Sequence, residues 1–211
     1  MLRLSIVLVL VLFSFCMVCT ESAFAKGERY GVSAQYFNID SVKFDEGSTD
    51  ETNTIKFGLV HSRPIDENNN RWRWLFNLNY LSAEVPAQSN LGSQSIGIYG
   101  VYQEVQSLQF RVIPQYAVAD WGWMTPLLGL GISTSYSQYS ERWQVDSDGI
   151  KYGDQLEDIE AFEFGLVASV GTVIKLGSNP NAHLQLVPEI LYNHSFNNGL
   201  GGIEFSLTLL F

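Results

Sequence analysis

The chain has 211 residues, 12 Lys and Arg against 22 Asp and Glu for a net charge of −10, and two cysteines. So acidic a chain repels nucleic acid, and no basic cluster offsets the repulsion, which excludes nucleic-acid binding. Both cysteines, Cys16 and Cys19, lie near the start, so a chain that loses that segment has no disulfide, zinc–thiolate site or cysteine nucleophile.

Arg3 is followed by an uncharged stretch from Leu4 to Thr20 and then by Ala23-Phe24-Ala25. This order of positive charge, apolar run and small-x-small site predicts a secretory signal peptide over residues 1–25, cleaved before Lys26. The apolar run is short for a membrane anchor, which needs about 20 residues. Neither cysteine has the small residue before it that a lipoprotein site requires; Phe15 and Val18 stand there. Cleavage removes one base (Arg3) and one acid (Glu21), leaving the balance at −10. No cofactor is implied by any motif.

Residues 26–211 hold no run long enough for a transmembrane helix but alternate with period two, the spacing of a β-strand. Tyr30, Val32, Ala34 and Tyr36 oppose Gly31, Ser33 and Gln35; Ile55, Phe57 and Leu59 oppose Lys56 and Gly58. Trp72, Trp74, Phe76, Leu78 and Tyr80 oppose Arg73, Asn77 and Asn79. Leu108, Phe110, Val112 and Tyr116 oppose Gln109, Arg111 and Gln115, and Leu128, Leu130 and Ile132 oppose Gly129, Gly131 and Ser133. Later segments put Glu163, Ser169, Gln185 and Glu189 on the polar phase. The chain ends on "GGIEFSLTLLF", where Ile203, Phe205, Leu207, Leu209 and Phe211 share one face with Glu204 on the other. A soluble β-sandwich also alternates. Aromatic residues at the ends of the apolar stripes, with charge inside strands on the opposite phase, instead describe a barrel with lipid outside.

The predicted fold is therefore all-β, a transmembrane antiparallel up-and-down β-barrel forming one domain over residues 26–211. Nine candidate strands can be drawn, whereas single-chain bacterial barrels use even numbers. The surplus lies between Ala83 and Val118, where "SIGIYGVYQEV" and "LQFRVIPQYAV" almost touch. Eight strands is the expectation and ten the alternative. Acidic stretches near 40–53 and 140–160 read as long outer loops; 63–71, 120–125 and 177–182 read as short periplasmic turns. An eight-stranded barrel is only wide enough for side chains to fill it. Lys56, Arg73 and Arg111 should therefore pair with Glu163, Glu189 and Glu204 across the lumen, forming a plug.

In pattern, the chain after its leader resembles the small outer-membrane β-barrel proteins of the OmpA/OmpX/OmpW type. "TPLLGLGISTSY" resembles their strand of a proline followed by alternating glycines, and "IEFSLTLLF" their C-terminal assembly signal. The resemblance implies a place in the Gram-negative outer membrane, among lipid and lipopolysaccharide. It also implies that periplasmic chaperones and the barrel assembly machinery are partners. Roles in that group include membrane stabilisation, surface adhesion and passage of small apolar molecules. A structural or surface-interaction protein is the leading expectation; a narrow passive channel or small apolar ligand transporter is the alternative.

One enzyme class shares the scaffold. Lipid A deacylases carry a His and Ser two residues apart, then an Asn and a later Glu. "LYNHSFNNGLGGIEF" resembles this through His194, Ser195, Asn197, Asn198 and Glu204, but adjacent strand residues point to opposite faces. A base must reach its nucleophile, so no enzymatic activity is expected. "DSDG" at 146–149 resembles part of a calcium loop, but Gln144 and Gln155 occupy the first and closing ligand positions, so no metal site is predicted. Asp146, Asp148, Asp154, Glu157 and Asp158 read as a solvated acidic loop. Protein extracted from membranes should have the mass of a chain starting at Lys26; a mass that retains residues 1–25 would refute cleavage and the export route together.

Overall fold

The computed structural model describes residues 27–41, 52–66, 69–85, 87–88, 100–145, 150–176, 184–196 and 199–211. Both the leader 1–25 and the expected turn 177–182 lie outside the described residues. Ten strands form: β1 (Arg29–Ser41), β2 (Thr52–Asp66), β3 (Asn69–Glu84), β4 (Ala87–Gln88), β5 (Gly100–Ala117), β6 (Met124–Val145), β7 (Lys151–Tyr152), β8 (Ile159–Lys175), β9 (Gln185–Ser195) and β10 (Gly201–Leu210). Each long strand pairs antiparallel with the next long strand, and β1 pairs with β10 to close the ring. The two-residue strands stand outside that ring, β4 on the edge of β5 and β7 on the edge of β6. The molecule is an eight-stranded, all-antiparallel, up-and-down β-barrel.

The surplus ninth candidate disappears because the described part of the first abutting segment, residues 100–105, runs on into the second as one strand. β5 runs unbroken from Gly100 through Arg111 to Ala117, 18 residues, and pairs along its length with β3 and β6.

Register determines the width of the ring. Partners followed round the sheet run from Arg29 to Ser62, Leu75 and Ile113, step across the β5–β6 register set by Val112 and Ile132 to Gly131, and continue through Val167, Asn193 and Gly202 to return to β1 at Ile39. Closure thus shifts the sheet by ten residues. A slide of ten residues at 3.3 Å over eight spacings of 4.8 Å corresponds to a strand tilt of about 40°. That is a narrow barrel whose interior must be filled by its own side chains.

Departures from regular pairing have local causes. The β5–β6 ladder skips Ile113 and Pro114, and the β8–β9 ladder skips Val187 and Pro188, since proline has no N–H to offer. At Tyr102/Glu104 the register shifts; two residues of β6 face one of β5, and Glu141 takes φ 49° there. The turn from β5 to β6 is closed by Asp120 Oδ1, which accepts from the N–H of Gly122 at 2.8 Å, with Gly122 at φ 82°.

The outer surface is a belt with two aromatic borders. Leu128, Leu130, Ile132, Val170, Ile190 and Leu207 are exposed on its middle, Leu130 at 65%. At the end where the short connections lie (67–68, 118–123, 176–184), Trp72 stacks near Tyr116 at 4.9 Å and Tyr30 on His61 at 4.5 Å. At the other end Tyr36 faces Phe205 at 6.5 Å, and Phe162 meets Phe164 edge-on at 4.9 Å. Apolar outside with aromatic borders is the surface of a transmembrane barrel.

The expected loop near 140–160 is largely sheet. β6 extends to Val145 over 22 residues, and Lys151 and Tyr152 pair back onto Val145 and Gln144. Of the stretch 40–53, residues 42–51 lie outside the described residues and β2 begins at Thr52. The 63–71 stretch is also mostly strand, since β2 reaches Asp66 and β3 starts at Asn69.

The seam between β1 and β10 carries the tightest backbone. Gly202 has φ 143°, and a Cβ there would collide with the carbonyl oxygen of Asn38. Backbone strain alone costs about 1–3 kcal/mol at such positions. Gly202→Ala should therefore lower the urea midpoint of unfolding and slow refolding to the heat-modifiable form; an unchanged midpoint would show that the seam relaxes freely.

Candidate functional site

The polar phase of every long strand points into the lumen. There the side chains sort into layers. Toward the long-connection end, Phe37, Ile39, Leu81, Val85, Val105 and Tyr139 form a buried apolar cluster with Ala161 and Leu200. Toward the short-turn end, Val60, Leu75, Ile113, Leu127, Val173, Val187, Leu191 and Leu210 form a second. Between and beside them sits a polar stratum containing Gln35, Lys56, Asn79, Gln109, Arg111, Glu163 and Glu204, all buried. Sequence alternation does not reveal these clusters, because Leu75 and Ile113 lie on the same phase as Arg73 and Arg111.

Of the six expected lumen charges, three meet directly. Glu204 Oε1 accepts from Lys56 Nζ at 2.8 Å and from Arg111 Nη2 at 2.5 Å. β10 supplies the carboxylate, β2 and β5 the cations, so the contact spans the barrel. Lys56 Nζ also donates to Gln109 Oε1 at 3.3 Å and lies 3.4 Å from the centre of the Phe37 ring, which joins the charge to the apolar layer above it. Arg111 Nη1 donates to Gln35 Oε1 at 3.4 Å, and Gln35 Nε2 to Asn79 Oδ1 at 2.9 Å. Arg111 and Glu204 are both at 0% exposure, so their pairing takes place without water competing.

The other three find different company. Glu163 is held by neutral donors: Tyr139 Oη at 2.7 Å, Ser135 Oγ at 3.2 Å and the Leu200 N–H at 3.1 Å. Glu189 accepts from Gln115 Nε2 at 2.6 Å, in space that a side chain at Gly171 would fill. Arg73 makes no ion pair within 4 Å among the described residues, and its buried Nε and Nη2 have no hydrogen-bond partner. The expected pairing of Arg73 across the lumen is thus absent from the structure. Arg73 sits one layer nearer the short-turn end than Arg111, within electrostatic range of Glu189 but not in contact with it, and lines a separate space.

That space is a half-open cavity of about 440 Å³ at the short-turn end. Arg29, Arg71, Arg73 and Lys175 line it with Ser62, Thr125 and Gln185, and Asp120 is the one acid among its lining residues. Asp120 Oδ1 lies 3.9 Å from Lys175 Nζ, and both are well exposed.

The deacylase arrangement is not assembled. His194 points outward, its ring 5.8 Å from that of Phe196, whereas Ser195 Oγ accepts from the Gly199 N–H at 2.9 Å. Glu204 is engaged by its two cations, and Asn197 and Asn198 lie outside the described residues. No group of three or more His, Cys, Asp or Glu among the described residues is placed to hold a metal; the 146–149 stretch lies outside them. The terminal stripe faces outward: Ile203, Phe205, Leu207 and Phe211 are exposed and Leu209 partly so. Phe211 exchanges backbone hydrogen bonds with Tyr30, which finishes the seam.

No family model matches the chain, and no curated protein sequence matches it. Solved structures do. Neisserial surface protein A (NspA) superimposes with a TM-score of 0.54 at 14% identity, covering 89% of this chain and 98% of that one. The attachment invasion locus protein Ail of Yersinia pestis (TM-score 0.41, 14% identity, 88% and 96% covered) is also similar. So is the N-terminal β-barrel domain of Pseudomonas aeruginosa OprF (TM-score 0.44, 7% identity, 87% and 97% covered). The likeness to NspA is one of fold: a small barrel of the outer-membrane kind.

Glu204 is the hinge of the charged layer. Breaking a buried pair by removing one partner costs about 3–5 kcal/mol, because the partner's charge stays behind. Glu204→Gln should lower the urea midpoint accordingly, and adding Lys56→Met should recover part of the loss. A Glu204→Gln protein as stable as wild type would mean that water, not the carboxylate, satisfies the two cations.

Proposed function

We propose that this chain is an integral protein of the Gram-negative outer membrane that acts through its surface, as a structural or interaction barrel, and does not conduct. The observation that carries this reading is the pair of apolar clusters flanking the charged layer. A water-filled pore needs a continuous polar path, whereas here Phe37, Leu81, Val105 and Tyr139 pack at one level and Val60, Leu75, Ile113 and Leu191 at another. The ion pairs of Glu204 then serve as interior packing that joins β2, β5 and β10 across the lumen. Lipid, lipopolysaccharide, periplasmic chaperones and the barrel assembly machinery are the partners this reading implies. The outward stripe of Ile203, Phe205, Leu207, Leu209 and Phe211 serves as the signal read during assembly.

The same reading sets the orientation. Long connections rich in acid face the cell exterior, and the short turns face the periplasm. Trypsin added to intact cells should cut after Lys151, which is exposed beyond the long-connection end, and spare Lys175, exposed near the short turns. Cleavage at Lys175 first would invert the topology. Refolded protein in planar bilayers should show no steady conductance; a stable ohmic current would replace the sealed barrel with the passive channel.

A further inference from the structure

We infer that the cavity at the short-turn end is a binding site for a phosphate group, carried either by a soluble anion or by a lipid headgroup. Its charge is opposite to that of the chain as a whole. Four cations reach it from three parts of the ring, Arg29 from β1, Arg71 and Arg73 from β3, and Lys175 from β8. Arg71 and Arg73 are two residues apart in one strand and so project on the same side. Arg71 Nη1 donates to Tyr116 Oη at 3.4 Å, which sets that guanidinium at the rim, while Arg73 stands deeper.

Two features distinguish this cavity from a solvated basic surface. The first is Arg73, whose buried Nε and Nη2 lack an acceptor. Buried donors without partners are costly, and a charged donor the more so. Nε with one terminal nitrogen is the edge of the guanidinium that grips two oxygens of a phosphate or carboxylate in parallel. The second is the space itself: about 440 Å³, within the range of small-ligand sites. Ser62, Thr125 and Gln185 add neutral donors to the walls. Arg111 also has a buried Nε without a partner, but both of its terminal nitrogens are engaged, by Glu204 and Gln35, and it does not line this cavity. Asp120 is the one acid among the cavity's lining residues and stands by Lys175, which leaves the unpaired edge of Arg73 open to an anion from outside. The inference stands on the cavity alone and holds whichever side of the membrane the mouth faces.

The test uses the refolded full barrel in a phosphate-free, non-ionic detergent at low salt. Inorganic phosphate is titrated in and followed by calorimetry or phosphorus NMR. Wild type should saturate, and Arg73→Gln and the rim variant Arg71→Gln should each weaken binding by about tenfold or more, the scale of a lost charge-assisted pair. Arg142→Gln, at the opposite end of the barrel, should leave it unchanged. Heat-modifiable migration confirms that each variant is folded, and the rim variant keeps the test intact should Arg73→Gln fail to fold. Displacement of bound phosphate by short-chain phosphatidylglycerol assigns the site to a lipid headgroup; saturation without displacement assigns it to a soluble anion. Failure of folded wild type to saturate, or equal weakening by Arg142→Gln, overturns the site in favour of diffuse attraction.

Discussion

Every feature of this molecule follows from the requirement that no backbone N–H or C=O be left unpaired in lipid. β1 must therefore find β10, and the two meet along a ladder that runs from Gly31 and Leu210 to Ser41 and Gly201. Closing eight strands with a ten-residue slide leaves a tube with no room for bulk water. The interior then has to be solved as a packing problem, and any charge placed there needs an opposite charge or a set of dipoles. Glu204 between Lys56 and Arg111 is one solution, and Glu163 among Tyr139, Ser135 and the Leu200 amide is the other. The first uses charge to neutralise charge. The second surrounds a carboxylate with donors that hold it without cancelling it.

The fold was legible because lipid enforces period two on the outside without exception. Trp72 to Tyr80, Leu128 to Ile132 and Ile203 to Phe211 each announce a face that only a membrane would tolerate. Strand number was less legible, since β5 has two apolar stripes separated by the polar pair Gln106 and Ser107, and length alone does not say that one strand holds both. Inward polar residues were also read correctly as inward, for the same reason of phase. Which of them touch was invisible. Arg111 and Glu204 are far apart in sequence and four strands apart round the ring, and their contact depends on the slide of the sheet, a property of closure that no single strand encodes. Arg73 shows the limit plainly: its phase is legible in the sequence, but which carboxylate comes near it is not. Residues such as Leu75 and Ile113 were hidden differently, as apolar members of a polar phase, with no local sign that they would find one another.

Charge divides the molecule along its axis. Among the described residues Glu84, Glu104, Glu141, Asp154, Glu157, Asp158 and Glu160 outnumber Arg142 and Lys151 at the long-connection end, whereas Arg29, Arg63, Arg71, Arg73 and Lys175 outnumber Glu28, Asp66 and Asp120 at the other. The net charge of −10 conceals this separation. A barrel so polarised presents unlike faces to the two aqueous compartments, and the field along its axis points the same way in every copy. The acid-rich end disfavours direct approach of anionic surfaces unless cations screen it. The basic end attracts them.

The hairpin of β5 and β6 gives the barrel an uneven rim. At 3.3 Å per residue and a tilt of about 40°, the 22 residues of β6 climb about 55 Å along the axis, more than twice the height of a lipid band near 25 Å. β9 and β10, with 11 and 10 residues, end at half that height. Among the described residues the wall therefore stands higher beyond the lipid on the β5–β6 side than on the β9–β10 side, like the raised back of a chair. The tall side is stiff, because β4 and β7 widen it into a sheet and the turn of backbone at Glu141 increases its twist. The barrel therefore has a front and a back in the plane of the membrane as well as a top and a bottom.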